Sequence, residues 1–136
     1  MAMNFLRNPR VVALARAAFW LALIFAVVMA VLPRPPQLPI DRFGDKFAHM
    51  LAFATLAGLA MTGFGPEWRW RIVERLSFLG AAIEVVQSIP ALHRDCDVRD
   101  WMADTLAVLV VVAIMGLLIP RRAESSLEVP IPHALG

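Results

Sequence analysis

Cysteine occurs once in this 136-residue chain, at Cys96, and lysine once, at Lys46. A lone cysteine excludes an intrachain disulfide and any metal site built on a cysteine cluster. Charged residues make up 18% of the chain and the net charge is +2. So small an excess calls for no nucleic-acid partner; it fits anionic headgroups and topology signals better. GxSxG, HExxH, P-loop and haem-type spacings are all missing. Serine is scarce near the charged residues of the apolar runs, which argues against a serine hydrolase. There is no internal repeat and no low-complexity tract.

What the chain does have is apolar sequence. It is 60% hydrophobic with a mean hydropathy of +0.67, too apolar for a soluble domain of this length. Four runs stand out, at about 11–32, 43–64, 72–90 and 101–119. Each approaches the length needed to cross about 30 Å of hydrocarbon at roughly 1.5 Å per residue. The first run also has features of a signal peptide, but an uncleaved anchor is expected. Prolines in 33–42 predict an extended connector. Small residues at Ala54, Gly58 and Thr62 predict close approach of a neighbouring helix. Trp68, Trp70 and Trp101 read as interfacial anchors.

The third run is the weakest. Its nine Ile, Val, Leu and Phe residues contribute about −0.3 to −0.6 kcal/mol each to insertion, and a central carboxylate costs about 2.5–3.5 kcal/mol. Glu84 therefore cancels much of the gain, and this helix needs a neighbour that satisfies it. The fold expectation is all-α: one membrane domain over 1–122, a four-transmembrane-helix bundle, followed by a disordered tail at 123–136.

Arginine counts set the orientation. Arg7, Arg10, Arg16, Arg69, Arg71, Arg75, Arg121 and Arg122 fall on one side. Arg34, Arg42, Lys46, Arg94 and Arg99 fall on the other. The positive-inside rule then makes both termini cytoplasmic. The start of the second helix, the end of the third and the start of the fourth all face outside. Helical rise puts His49, Glu84 and Asp104 at similar depth on three helices, with Asp45, Gln87 and Asp100 on the same faces. Polar groups in a membrane seek one another, so a convergent, outward-facing polar site is expected.

Three spaced elements in this region carry a resemblance. Asp45, Lys46 and His49 form Asp-Lys-x-x-His, Glu84 and Gln87 form Glu-x-x-Gln, and Arg94 and Asp100 fit an Arg-x-x-Ser-x-x-Asp-x-x-x-Asn element. Over about 43–115 the chain resembles the VanZ-like family of small integral membrane proteins. It departs from that pattern at Asp97, where Ser is common, at Asp104, where Asn is common, and at Ala107, where Gly is usual. The resemblance implies a multi-pass protein of the bacterial cell membrane, associated with the envelope and with resistance to teicoplanin-type glycopeptides.

The expected ligand-binding set is Asp45, Lys46, His49, Glu84, Gln87, Arg94, Asp100 and Asp104. Arg94 would hold an anion of a polar lipid or cell-wall precursor, as arginine suits bidentate recognition; pairing with carboxylates of its own turn is the structural alternative. Glu84 and Gln87 could equally act as interhelical glue, and Asp45 as a cap on its helix. A second reading is a membrane-embedded enzyme, with Glu84 or His49 as general base and Asp100 as a further catalytic candidate. A third is a purely structural assembly partner. Oxygen ligands and one imidazole would suit a divalent cation, but a self-neutralised network balances the same charges. Neither a metal nor a cofactor is expected.

Overall fold

Residues 8–93 and 96–119 are described by the computed structural model of the protein. Among these residues there are four long helices and no strand: α1 (Pro9–Val31), α2 (Asp45–Phe64), α3 (Arg69–Gln87) and α4 (Val98–Leu118). Helices α1, α2 and α4 are long and apolar enough to cross a membrane. The 19-residue α3 is not, because Arg69, Arg71, Glu74 and Arg75 fill its first turns and Glu84 its last.

Local chemistry explains where the helices begin and end. Asn8 caps α1 by accepting the Arg10 N–H at 2.9 Å, with Pro9 in the first turn where its missing N–H costs nothing. Helix α2 ends at Gly65, whose φ of 95° is open to glycine and strained for other residues. Pro66 then starts a short 3-10 turn, Pro66–Trp68, that runs straight into α3. The Trp-Arg-Trp-Arg run is thus partly helix, and α3 begins three residues before the expected 72. Asp97 caps α4 by accepting the Arg99 N–H at 2.9 Å, which moves that start from 101 to Val98. The connector after α1 is not extended throughout: Pro39–Phe43 winds into a 3-10 turn. The expected tail at 123–136 lies outside the described residues.

Helix α2 is the centre of the bundle. It packs most extensively on α1 and α4, while α3 leans chiefly on α4. The core joins Phe53, Leu56, Ala57, Ala60 and Met61 of α2 to Phe19 of α1, Leu76 and Ile83 of α3, and Val108 and Val112 of α4. Leu14, Leu21 and Ile24 of α1 and Leu106, Leu117 and Leu118 of α4 are exposed. Such outward apolar faces suit a hydrocarbon solvent, where helix association rests on close packing rather than on hydrophobic burial.

That close packing is not on the expected stripe. Ala54, Gly58 and Thr62 are only half-buried, and the nearest atom to a Cβ at Gly58 would be Met115 Sδ at 3.8 Å. The tight approach lies one face around, on Ala57, Ala60 and Gly63. A Cβ at Gly63 would stand 3.2 Å from the Arg16 backbone nitrogen. Arg16 also donates from Nε to the Gly63 carbonyl at 2.7 Å and lies over the Phe64 ring at 5.5 Å.

Between α3 and α4, the Ser77 and Thr105 hydroxyls share a hydrogen bond of 2.9 Å. Trp101 Nε1 donates to the Ser77 carbonyl at 3.0 Å. Trp101 is therefore an interhelical clasp, and its ring fits the space left by Gly80. Trp68 and Trp70 do sit on the surface, 41% and 67% exposed, with Arg71 over the first and Arg69 over the second.

Candidate functional site

One end of the bundle gathers the C-terminal ends of α1 and α3 and the N-terminal ends of α2 and α4. The polar residues singled out in the sequence lie there, in two groups.

The first group is a line of three side chains on α2 and α4. His49 follows Asp45 by one helical turn, and the spacing brings Asp45 Oδ2 to 3.9 Å from His49 Nε2. The other ring nitrogen, Nδ1, lies 3.8 Å from Asp104 Oδ2. Both separations are ion-pair rather than hydrogen-bond distances. The imidazole thus stands between two carboxylates of very different surroundings. Asp45 is largely exposed at the first position of α2, whereas Asp104 is 2% exposed. Asp104 Oδ1 is buried without a hydrogen-bond partner among the described residues. A buried polar atom left this way costs roughly 1–3 kcal/mol, so Asp104 marks a place where a proton, a water or a ligand group would be stabilised.

The second group surrounds Lys46, nearer the end of the bundle. Its Nζ is 2.9 Å from Asp100 Oδ1, an ion pair by distance, though too oblique for a well-formed hydrogen bond. The same Nζ is 3.8 Å from Asp97 Oδ2. Asp97 has three attachments, since its Oδ1 caps α4 and its N–H donates to Glu84 Oε2 at 2.9 Å. After α3 the chain makes a 3-10 turn, Pro90–Leu92, and His93 lies in the left-handed region at φ 50°.

Glu84 and Gln87 are both buried, and both are tied to backbone. Glu84 holds the Asp97 amide. Gln87 Nε2 donates to the Ala30 carbonyl at 3.0 Å, closing the end of α1. The equal depth expected for His49, Glu84 and Asp104 does not hold for Glu84. Its partner Asp97 precedes Asp104 by seven residues, about 10 Å of helix. The residue of α3 that sits near the level of Asp104 is Ser77, bonded to Thr105. Arg94 lies outside the described residues. Among the described residues no three His, Cys, Asp or Glu side chains converge as metal ligands.

Cys96 is exposed in the turn before α4. Partial desolvation, with the Glu84 carboxylate beside it, pushes its thiol above the ordinary value. That makes it a weak nucleophile at neutral pH.

An apolar groove of about 290 Å³ adjoins the first group. It runs between α1 and α2, past Phe25, Met29, Ala52 and Leu56, and Asp45 and His49 form part of its wall. His49 is the hinge of the whole arrangement, since it faces carboxylates on either side and hydrocarbon along the groove. Asp97, Ser77 and Thr105 complete the polar framework and were not among the expected site residues. For Ser77 and Thr105 the only signal was a small hydroxyl inside an apolar run.

No protein-family model, curated protein or solved structure matches this chain.

Proposed function

We propose that the chain is a VanZ-like, four-helix integral membrane protein that binds the head of a polar lipid or lipid-linked envelope molecule. The termini are cytoplasmic in this reading, α3 crosses the membrane with the other three helices, and the polar end faces outward. The observation that carries it is the position of His49, shared by the Asp45–His49–Asp104 line and the wall of the apolar groove. An amphiphile has the same division: a head that exchanges hydrogen bonds or charge, and a chain that needs apolar surface. Asp104 Oδ1, buried and unsatisfied, favours a head that donates hydrogen bonds, such as a hydroxyl or an amine. Lys46 and Asp100 form the rim, and Arg94 keeps its sequence-based role as an anion holder. Glu84 and Gln87 shape the site by fixing Asp97 and Ala30. The link to glycopeptide resistance follows from the family resemblance and belongs to the same proposal.

Mass spectrometry of lipids retained by the purified protein tests this. A retained amphiphile that is lost from His49→Ala and kept by Gln87→Met supports the reading. Retention unchanged in His49→Ala ends it.

The Asp45–His49–Asp104 line also favours one form of the enzyme reading. An imidazole with a carboxylate on each ring nitrogen can take up and pass a proton. With Glu84 engaged by the Asp97 amide, His49 is the better general base. A His49→Gln variant that retains the lipid but allows no turnover of it would identify this chemistry.

A further inference from the structure

A second groove runs between α1 and α3 toward the opposite end of the bundle. It measures about 550 Å³, within the roughly 300–1,000 Å³ usual for ligand sites. Its floor is apolar, from Phe19, Leu23, Phe78 and Ala82, and Arg71 and Arg75 stand along its wall. These two arginines are one helical turn apart on the same face of α3. Neither has a carboxylate within ion-pair distance among the described residues. Arg71 rests over the Trp68 ring at 4.6 Å, which holds its guanidinium at the groove and leaves its edge free to donate. Arg16 of α1, at the same end, is already committed to the Gly63 carbonyl and the Phe64 ring.

We infer that this groove binds an anionic phospholipid, with its phosphate between Arg71 and Arg75 and an acyl chain along Phe19, Leu23 and Phe78. The occupant follows from charge. Two unpaired guanidiniums repel each other and are stabilised by a net negative head, and their planar forks match phosphate oxygens. A zwitterionic lipid offers the same phosphate but brings a quaternary ammonium beside two cations, so its net-neutral head offsets their repulsion less. The site is independent of the polar line around His49, which lies at the other end of the bundle.

Trp20 and Trp68 both line the groove, so lipids brominated in the acyl chain report on it by quenching their fluorescence. The full-length protein is titrated in mixed micelles with brominated phosphatidylglycerol and, separately, with phosphatidylcholine carrying the same chains. Phosphatidylglycerol is expected to reach half-maximal quenching at about a tenfold lower mole fraction. The double variant Arg71→Gln/Arg75→Gln, both exposed positions, is expected to lose that difference. Arg34→Gln/Arg42→Gln, which removes the same charge from the α1–α2 connector at the other end of the bundle, is expected to keep it. Equal quenching by the two lipids in the unaltered protein overturns the inference. So does a phosphatidylglycerol preference that survives Arg71→Gln/Arg75→Gln or disappears in Arg34→Gln/Arg42→Gln.

Discussion

His49 Nδ1 stands 3.8 Å from Asp104 Oδ2 across the α2–α4 interface, and this pair joins the two helices deep within the polar end of the bundle. Its energetics are asymmetric. Removing one partner leaves a buried charge uncompensated, at about 3–5 kcal/mol, whereas replacing both with apolar groups is often neutral. His49→Leu is therefore expected to lower stability by about 3 kcal/mol, and His49→Leu/Asp104→Leu to recover most of it. Unfolding in mixed detergent, read as a double-mutant cycle, checks this. Additive losses would mean that the two side chains do not interact.

Asp104→Asn separates stability from binding. The amide keeps the shape and sheds the charge; His49 keeps Asp45 at 3.9 Å and, unlike a fixed charge, can become neutral, so no charge is left stranded and stability is expected to change by under about 1 kcal/mol. Retention of the co-purified amphiphile is expected to fall several-fold. A large loss of stability with unchanged retention would assign Asp104 to the fold alone.

Gln87 reaches the Ala30 carbonyl and touches none of the charged line. Gln87→Met is expected to cost about 1 kcal/mol, the usual worth of an interhelical hydrogen bond in a membrane, and to leave ligand retention unchanged. Thermal unfolding beside lipid mass spectrometry distinguishes these two outcomes.

Asp97 combines a helix cap with a 3.8 Å approach to Lys46. Asp97→Ser keeps a capping oxygen and loses only the exposed ion pair, an expected cost of under about 1 kcal/mol. Asp97→Ala loses the cap as well and is expected to cost about 1 kcal/mol more. Equal stability of the two variants would show that the cap contributes nothing.

Cys96 gives both a pH profile and a topology test. A membrane-impermeant maleimide is expected to label it in intact spheroplasts, and labelling only after lysis would reverse the proposed orientation. The thiolate is the reactive form, and its proportion is depressed because the thiol is shifted upward. Labelling is therefore expected to be slower than for a free cysteine at neutral pH and to climb as pH rises through the raised value. Glu84→Gln removes the neighbouring negative charge, favours the thiolate and is expected to speed labelling. A rate profile matching free cysteine in both proteins would contradict the proximity of Glu84.

The number of helices, and the gathering of Asp45, Lys46, His49, Asp100 and Asp104 at one end, were legible in the sequence. Both follow from helical rise and from the rarity of charge in apolar runs. The level of Glu84 was not, because it depends on which residue before α4 meets its carboxylate, here the Asp97 amide, and no composition signal marks that partner. The clasp made by Trp101 was not legible for a related reason. A tryptophan near a run's end reads as an interfacial anchor, and nothing in the sequence says that Ser77 and the space over Gly80 offer its N–H and ring a partner inside the bundle. The tight α1–α2 contact at Gly63 escaped because a stripe of small residues names a face without naming the helix that comes to it.

The unequal pairing of the helices bears on the order in which the chain can enter a bilayer. Helices α1 and α2 share a large interface and are consecutive, so they can settle together as soon as both are synthesised. Helix α3, the least apolar, leans chiefly on α4, which leaves the ribosome after it. Until α4 arrives, Glu84 has no Asp97 amide to hold and Ser77 no Thr105. In the proposed four-span topology, biogenesis is therefore expected to hold α3 back at the translocon and release it paired with α4, so that a chain truncated before Val98 leaves α3 uninserted.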